Sequence, residues 1–372
     1  MLIVGAGIGG LTTAIALRQA GFPVEVFERA PKLKEAGAGI ALSANATRVL
    51  KHLGLLERIV ENATVLEATV AYDGRGQTLL RMPLNHLADV PSVSLHRADL
   101  QQALYSALPP DSVHLGEEFL QVEQTRERVT AHFANGRALS GEILIGADGL
   151  RSKLRSQLLG EGEPVYRGYQ CWRGVCAHPG RQLLTETFGR GIRVGIVPIG
   201  PRGTAWWCTA DEPERSHNEP EDAKSKLRHW LGSWHSPIPE LIAATVEEAI
   251  IKTPICDRPP TKRWSQGRCT LLGDAAHPTT PNMGQGDAMA IEDAAVLTRC
   301  LLEHSDPAAA LAAYERVRRR RTASVMRMSR CYGIVGQWSN PGAVWLRNAL
   351  FRLTPAKAAA RMYASFVCHD LF

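Results

Sequence analysis

Short apolar runs, glycine turns and a helical pattern alternate through the first thirty residues. Residues 2–4 form an apolar run, residues 11–20 have helical periodicity, and residues 24–27 form a second apolar run after the breaks at Gly21 and Pro23. The pattern predicts a strand, a glycine turn, a helix and a second strand. This is the first βαβ unit of a parallel sheet.

The turn of this unit has the spacing of a dinucleotide site. Gly5 permits a tight turn, Gly7 lets the backbone approach a pyrophosphate, and Gly10 lets the helix pack closely on the sheet. Glu28 and Arg29 end the second strand, where the carboxylate can accept hydrogen bonds from ribose hydroxyls. A plain βαβ unit would leave Glu28 unexplained. This stretch alone does not distinguish FAD from NAD(P).

Two later apolar runs also end in glycine and aspartate. Residues 143–145 lead to Asp148 and Gly149, and residues 269–272 lead to Asp274. Ligands of open α/β sheets bind at the carboxyl ends of strands, so one ligand can touch all three turns. Asp274 suits the hydroxyls of a polyol chain, and Asp148 with Gly149 suits a position near the pyrophosphate.

Two further segments extend this predicted site. Arg97 follows a short strand at residues 93–95 and can neutralise phosphate charge. A loop then opens the helix predicted at residues 287–302, and the helix N-terminus favours negative charge, as a reduced isoalloxazine carries. The cofactor-binding residues expected in this loop are Pro281, Gly284, Gln285 and Gly286. Together, these contacts favour FAD.

The rest of the chain has weaker patterns. A helix is predicted at residues 46–60, a hairpin at residues 65–80 and a β-meander at residues 112–139. Residues 36–40 form a glycine-rich loop. Between residues 160 and 260, short apolar runs and frequent turns predict a mostly antiparallel sheet with one helix at residues 221–233 and a hydrophilic loop at residues 211–220.

Composition limits the class of protein. The chain has 372 residues, 45% of them apolar and 22% charged, which is typical of a soluble globular protein of about two domains. A formal charge of +6 without a nucleic-acid motif gives no indication of nucleic-acid binding. The eight cysteines lack metal-site spacing, so we expect no metal and free thiols in a reducing cytoplasm.

At these motifs the sequence resembles the group A flavoprotein monooxygenases, the single-component FAD-dependent aromatic hydroxylases. The resemblance covers nearly the whole chain. Residues 166–174 and 195–198 resemble the urate hydroxylase and zeaxanthin epoxidase branch, which also resembles salicylate and 6-hydroxynicotinate hydroxylases. The segments that carry the family resemblance are GAGIGG with Glu28-Arg29, His96 to Leu100, Gly146 to Ser152 and Gly273 to Gly286.

The resemblance implies an α/β fold with a glutathione-reductase-like Rossmann FAD-binding domain, an inserted antiparallel β-sheet substrate domain and C-terminal helices. The expected divisions are residues 1–70, 93–160 and 262–340 for the FAD domain, residues 71–92 and 161–261 for the substrate domain, and residues 341–372 for the C-terminal helical segment.

The resemblance also implies a reaction. NADH or NADPH reduces FAD, O2 adds to give a C4a-hydroperoxyflavin, and a small aromatic or heteroaromatic substrate is hydroxylated. An epoxidase of a larger apolar substrate, an FAD-dependent reductase or dehydrogenase, and a non-enzymatic flavin-binding module are the alternatives. The expected assembly is a monomer or homodimer without a membrane partner.

Three residues are candidates for the substrate pocket. Asp287 is either a helix N-cap or a carboxylate that takes a proton from the substrate. Arg193 is either a surface residue or a ligand for an acidic substrate. Trp207 follows Trp206, and strand alternation puts one of them in the pocket without indicating which. His277 follows Asp274 closely, and we expect it to pack in the turn rather than act as a base.

The C-terminal third carries a basic run at residues 316–321 and an amphipathic helical pattern at residues 344–365. The run is compatible with an anionic membrane surface. The simpler interpretation, which we prefer, is a solvated helix face and a helix pair that packs its apolar face on the same chain.

Overall fold

A mostly parallel sheet of six strands holds the predicted βαβ unit. The computed structural model describes residues 1–33, 38–85, 87–160, 162–214 and 222–368. Residues 36–37 of the glycine-rich loop and residues 215–220 of the hydrophilic loop lie outside this range. In spatial order the strands are β18 (Ser265–Gln266), β19 (Cys269–Leu271), β12 (Leu144–Gly146), β1 (Leu2–Val4), β2 (Glu25–Glu28) and β8 (Val113–Leu115).

The three strands predicted to end at one ligand are neighbours in this sheet. Parallel pairing of Leu2 with Leu144, and of Leu144 with Cys269, aligns the carboxyl ends of β1, β12 and β19. All three strands are fully buried, as their continuous apolar runs require. The predicted juxtaposition of the three turns is confirmed.

Helices cover this sheet. In chain order they are α1 (Ile8–Gln19), α2 (Ala44–His52), α3 (Leu56–Val60), α4 (Arg97–Tyr105), α5 (Lys153–Leu159), α8 (Gly286–Glu303) and α9 (Pro307–Gly336). The helix predicted at residues 46–60 is wrong as a single element, because α2 and α3 are separated at Gly54, whose φ is +71°. A left-handed glycine ends a helix without the strain that a side chain would cause.

Two small sheets flank the parallel sheet. One contains β9 (Phe119–Gln124), β10 (Val129–Phe133) and β11 (Ala138–Gly141), and the other contains β3 (Gly39–Leu42), β7 (Val93–His96) and β4 (Thr64–Val65). The predicted meander at residues 112–139 is therefore too long. Its first strand, β8, pairs with β2 in the parallel sheet instead.

The large sheet has seven strands and two unequal faces. Trp172 and Trp206 lie on one face, beneath α6 (Ala223–Leu231) and α7 (Ile238–Ala244). The second of these helices was not predicted. The spatial order of strands is β17 (Ile251–Asp257), β13 (Val165–Cys176), β16 (Thr204–Asp211), β15 (Ile192–Pro198), β14 (Leu183–Phe188), β5 (Ala68–Asp73) and β6 (Thr78–Pro83).

The opposite face of the large sheet, here called the cleft face, is turned toward the parallel-sheet unit. A Cβ built on Gly39 of β3 would lie 2.6 Å from Cβ of Ala205, and Ser94 Oγ donates a hydrogen bond to the Pro198 carbonyl at 2.6 Å. The chain ends with α9, α10 (Pro341–Leu353) and α11 (Ala356–Val367). None of the described helices combines the length and apolarity needed to span a bilayer.

Candidate active site

The turn after β1 is built from close backbone contacts. A Cβ on Gly5, whose φ is +106°, would lie 2.3 Å from the Ala147 carbonyl oxygen. A Cβ on Gly10 would lie 2.0 Å from the carbonyl oxygen of Gly5. A Cβ on Gly7 would meet no described protein atom within 4 Å. The first two glycines therefore serve packing of strand and helix, whereas Gly7 leaves the backbone open to a ligand.

Glu28 is fixed at the carboxyl end of β2. Its two carboxylate oxygens accept hydrogen bonds from the backbone N–H groups of Ala6 at 2.9 Å and Ala30 at 3.0 Å. An ionised carboxylate has about four lone-pair sites, so both oxygens can still accept from ribose hydroxyls. Arg29 is exposed beside it.

Asp148 has one satisfied and one unsatisfied oxygen. Oδ2 accepts hydrogen bonds from the N–H groups of Lys153 at 2.8 Å and Leu154 at 3.3 Å, at the start of α5. Oδ1 is buried without a partner among the described residues. Burial raises the pKa of Asp148. A buried orphan oxygen beside Gly149, whose φ is +79°, is the kind of feature that a bound donor would satisfy.

Asp274 follows β19 and lies near the start of α8. Its Oδ1 is 3.9 Å from the position that a Cβ on Gly286 would take. The residue is exposed to solvent, although many protein atoms surround its carboxylate and desolvate it. This desolvation, together with the negative charge of Asp287, raises the pKa of Asp274 to about 6. Hydroxyl donors from a ligand would stabilise its ionised form.

The loop before α8 presents backbone rather than side chains. Residues Pro281–Met283 form a 3-10 turn, and Gly284 has a φ of +61°. The Gln285 side chain is buried, where its Nε2 donates to Ser43 Oγ at 3.1 Å and its Oε1 accepts from Asn45 at 3.0 Å. The side chain of Gln285 therefore ties the loop to Ser43 and Asn45, and only the backbone of Gln285 is available to a cofactor.

Asp287 lies in the first turn of α8. The helix begins at Gly286, so Asp287 is inside the helix and is not its N-cap. Arg97 Nη2 is 3.1 Å from Asp287 Oδ1, and both side chains are partly exposed. Arg97, which was predicted to contact a cofactor phosphate, therefore forms an ion pair at the cleft with Asp287, which was predicted to lie in the substrate pocket.

Arg193 lies on the cleft face of β15 but is only 1% exposed, so the surface alternative is wrong. Its three nitrogen atoms all donate hydrogen bonds, to Gln337 at 2.8 Å, Glu186 at 2.9 Å and Asn282 at 2.7 Å. With these partners the guanidinium is neutralised by Glu186 and tied to the loop before α8 at Asn282. This arrangement suits a positioning residue rather than a ligand for an acidic substrate.

Sequence reasoning missed the partners of Arg193. Asn282 also donates to Thr280 Oγ1 at 2.8 Å and to the Ser329 carbonyl at 2.9 Å. Tyr332 donates to Glu186 at 2.7 Å, and burial, together with the negative charge of Glu186, raises the pKa of Tyr332. The one sequence feature that pointed to these contacts was the position of Asn282 in the loop at residues 281–286, which was predicted to bind the cofactor. Arg193 and Gln337, and Glu186 and Tyr332, are more than a hundred positions apart in the sequence.

Trp207 is the tryptophan on the cleft face. Its ring lies flat beside β15, since a Cβ on Gly195 would be 1.9 Å from the ring. Trp206 points to the opposite face, where its indole N–H donates to Thr245 Oγ1 at 2.8 Å. The alternation that the sequence left open is thereby resolved, with Trp207 partly exposed.

His277 is part of a buried ionic cluster. Its Nε2 is 2.6 Å from Asp293 Oδ2, and Arg318 Nε donates to Asp293 Oδ1 at 2.6 Å. Glu292 pairs with Arg318 at 2.6 Å and with Arg321 at 2.5 Å. His277 therefore packs beneath the cleft, as expected. Arg318 and Arg321, taken from the basic run as solvated residues, instead join α9 to α8.

These features fit FAD. The glycines leave backbone open, Glu28 and Asp274 offer acceptors to hydroxyl groups, and the N-terminus of α8 offers N–H groups to negative charge. A parallel sheet with this site beside a large second sheet defines a flavin-dependent oxidoreductase. A family model described as "FAD binding domain" matches residues 1–329.

The chain belongs to this family, as a group A flavoprotein aromatic monooxygenase. The aurachin C monooxygenase/isomerase of Stigmatella aurantiaca is 42% identical over 359 residues, which is 95% of this chain and 94% of that protein. The 2-heptyl-3-hydroxy-4(1H)-quinolone synthase of Pseudomonas aeruginosa is 31% identical, covering 98% and 96%. The crystal structure of Klebsiella pneumoniae HpxO with FAD and uric acid has a TM-score of 0.92 and 29% identity, covering 99% and 96%.

These findings confirm the α/β fold and the cofactor. The chain is an FAD-dependent monooxygenase that hydroxylates small heteroaromatic substrates with NAD(P)H as donor. The reductase and the non-enzymatic module are therefore set aside.

Proposed function

We propose that the substrate is a neutral nitrogen heteroaromatic with an apolar substituent, of the 2-alkyl-4(1H)-quinolone type, and that one atom of O2 enters its ring. The observation that carries this proposal is the make-up of the cleft face. It combines an apolar wall with arginines whose donors are already engaged.

Arg193 and Arg173 of the cleft face have partners within the protein. Arg193 is neutralised by Glu186. Arg173 donates to Thr253 Oγ1 at 2.7 Å and to Cys171 Sγ at 3.4 Å. A substrate carboxylate would have to compete for these donors in a desolvated site, which disfavours acidic substrates.

The apolar wall borders Trp207. Partly buried hydrophobic side chains pack there against the buried Ala359 and Ala360 of α11. Each methylene that a ligand buries on such a wall contributes about 0.8 kcal/mol. An alkyl substituent of several carbons is thus a strong source of affinity. The partly buried members of the wall are Ala41, Leu80, Leu87, Val175, Leu184, Trp207 and Tyr363.

Relatives support the same substrate class. One is named for a 2-heptyl-3-hydroxy-4(1H)-quinolone, and its match covers 98% of this chain. The HpxO structure has uric acid, which is also a heteroaromatic compound, as its ligand. The alkylated member of this pair fits the apolar wall better.

Specific residues would hold the cofactor and the substrate. We assign the adenosine end to Gly7 and Glu28, the polyol chain to Asp274, and the ring to the backbone of the loop before α8. When bound, FAD supplies the activation of O2. Asp287, whose Oδ1 pairs with Arg97, accepts the ring N–H or O–H proton of the substrate at Oδ2, while Trp207 and α11 exclude water.

We also propose the division expected from the sequence, with residues 71–92 and 161–261 as the substrate domain. The entry of β5 and β6 into the seven-stranded sheet supports it.

All eight cysteines are free, which supports a reducing compartment.

The test is NADH or NADPH oxidation by the holoenzyme with matched compounds. We expect 2-heptyl-4(1H)-quinolone to stimulate oxidation and to yield a ring-hydroxylated product. The same compound with a ring carboxylate, salicylate and unsubstituted 4(1H)-quinolone should stimulate it at least about tenfold less. Preference for either carboxylate would overturn the assignment of a neutral substrate. Equal use of unsubstituted quinolone would overturn the role of the apolar wall.

A further inference from the structure

Helix α10 has an apolar face that points away from the protein. Trp345 is 72% exposed, Leu346 46%, Leu350 54% and Leu353 78%. At 100° per residue these four side chains lie within about 140° of one another around the helix. On the other side of α10, Arg347 is buried and Phe351 packs against Phe188 at 5.2 Å between ring centroids. The expectation that the helix pair packs its apolar face on the same chain is therefore wrong for these four residues of α10, whereas Phe351 and the buried Ala359 and Ala360 of α11 do pack there.

The surroundings of this stripe are basic. The two helices α10 and α11 carry Arg347, Arg352, Lys357 and Arg361 and neither aspartate nor glutamate. Lys357 and Arg361 are exposed on α11, in the same helix as Met362, which is 60% exposed. Arg352 of α10 pairs with Asp73 of the large sheet at 3.0 Å, so this acidic residue neutralises one of the basic side chains. Arg347 is buried, so the exposed basic side chains of α10 and α11 without an acidic partner among the described residues are Lys357 and Arg361.

We propose that α10 and α11 dock this enzyme on an anionic lipid bilayer, with the stripe of α10 in the interface and Lys357 and Arg361 at the headgroups. Tryptophan and leucine on one face of a helix with lysine and arginine beside it is the arrangement that binds such surfaces. A second copy of the chain fits less well, because Lys357 and Arg361 of one copy would repel those of the other.

The position of α11 connects this surface with the pocket. Its Ala359 and Ala360 contribute to the apolar wall that includes Trp207, while Lys357 and Arg361 are on its exposed side. A substrate with an alkyl chain partitions into membranes, so docking would bring the pocket to its substrate. This last step rests on the proposed function, whereas docking itself does not.

Flotation of the holoenzyme with vesicles tests the proposal without any substrate. We expect binding to vesicles of phosphatidylcholine and phosphatidylglycerol at 3:1, weaker binding at high salt, and little binding to phosphatidylcholine alone. K357E/R361E should lower the partition coefficient by at least about thirtyfold, because each basic side chain contributes about fivefold at an anionic surface and each glutamate adds repulsion. W345S/L353S should lower it at least about tenfold.

Leu302→Ser is the matched control, because Leu302 is 62% exposed at the end of α8, outside this surface. FAD content and melting temperature verify that each variant is folded. Equal vesicle binding by wild type and both double variants would overturn the proposal. So would a concentration-dependent dimer in sedimentation velocity that W345S/L353S abolishes while the wild type fails to float. Failure to float with normal quinolone hydroxylation would refute docking alone.

Discussion

At the scale of single residues, Asp274 links cofactor binding to the stability of the apoprotein. Its carboxyl pKa is raised to about 6, above that of an unfolded chain. The folded state therefore binds more protons between pH 4 and 6, and its stability falls as pH rises through that window. A hydroxyl-rich ligand would offset this loss by hydrogen bonding to the ionised carboxylate.

Asp274→Asn should stabilise the apoprotein above pH 6, by about 1 kcal/mol after allowance for the accessible part of the side chain. The difference should vanish near pH 4. The same variant should retain less FAD, because the amide is a weaker acceptor for hydroxyl groups than the carboxylate. Thermal unfolding of apoprotein across pH and the flavin absorbance of purified protein measure the two effects. Unchanged flavin content would refute the assigned role.

Arg193 is joined to the loop before α8 by the hydrogen bond that it donates to Asn282. Arg193→Met should lower the ratio of hydroxylated product to NAD(P)H consumed about tenfold, the effect expected from loss of the charged hydrogen bond to Asn282 in the loop. Arg193→Lys should recover part of it. Arg190→Met is the matched control, since Arg190 is exposed and its Nε donates only to the Ser339 carbonyl, at 3.1 Å. If Arg193→Met keeps normal coupling, the positioning role is wrong.

At the scale of elements, α8 and α9 are joined by the ionic cluster of Glu292, Asp293 and Arg318. Burial opposes ionisation of both acids. The positive charges of His277 and Arg318 nevertheless keep the pKa of Asp293 below its usual range, and Arg318 and Arg321 do the same for Glu292. The stabilisation is present above the unfolded pKa values of these acids and is lost as pH falls through their folded values.

Arg318→Met should lower the free energy of unfolding by about 3–5 kcal/mol, because it leaves two buried carboxylates with fewer partners. Arg320→Met, an exposed neighbour in α9, should change it by less than about 0.5 kcal/mol. Chemical denaturation at pH 7.5 measures both. Equal effects of the two substitutions would contradict the assignment of Arg318 to the cluster.

Sequence patterns predicted the elements that repeat local rules. The glycine turn at Gly5, the strand ending before Asp274 and the helix beginning near Gly286 follow from apolar periodicity and glycine spacing. The contacts of Arg193 and Gln285 did not follow, because their partners are brought near only by sheet order and helix packing. The amphipathic pattern predicted an apolar face on α10. The stripe is exposed because Phe351, on the opposite side of the helix, packs against Phe188.

At the scale of the whole molecule, two sheets divide the work of the enzyme. The parallel sheet aligns three strand ends for one extended cofactor. The seven-stranded sheet presents Trp207 and an apolar wall to the same cleft, and α11 adds to that wall. The arrangement accounts for a monooxygenase whose reactive group is the cofactor and whose protein selects and shields the substrate.

Isotope incorporation tests this account most directly. The holoenzyme is supplied with NADH or NADPH, 18O2 and whichever panel compound stimulates oxidation most, and the product is analysed by mass spectrometry. The account predicts one 18O atom in each product molecule and loss of stimulated NAD(P)H consumption under argon. A product without 18O would contradict this account. So would stimulated NAD(P)H consumption that continues under argon and reduces the substrate.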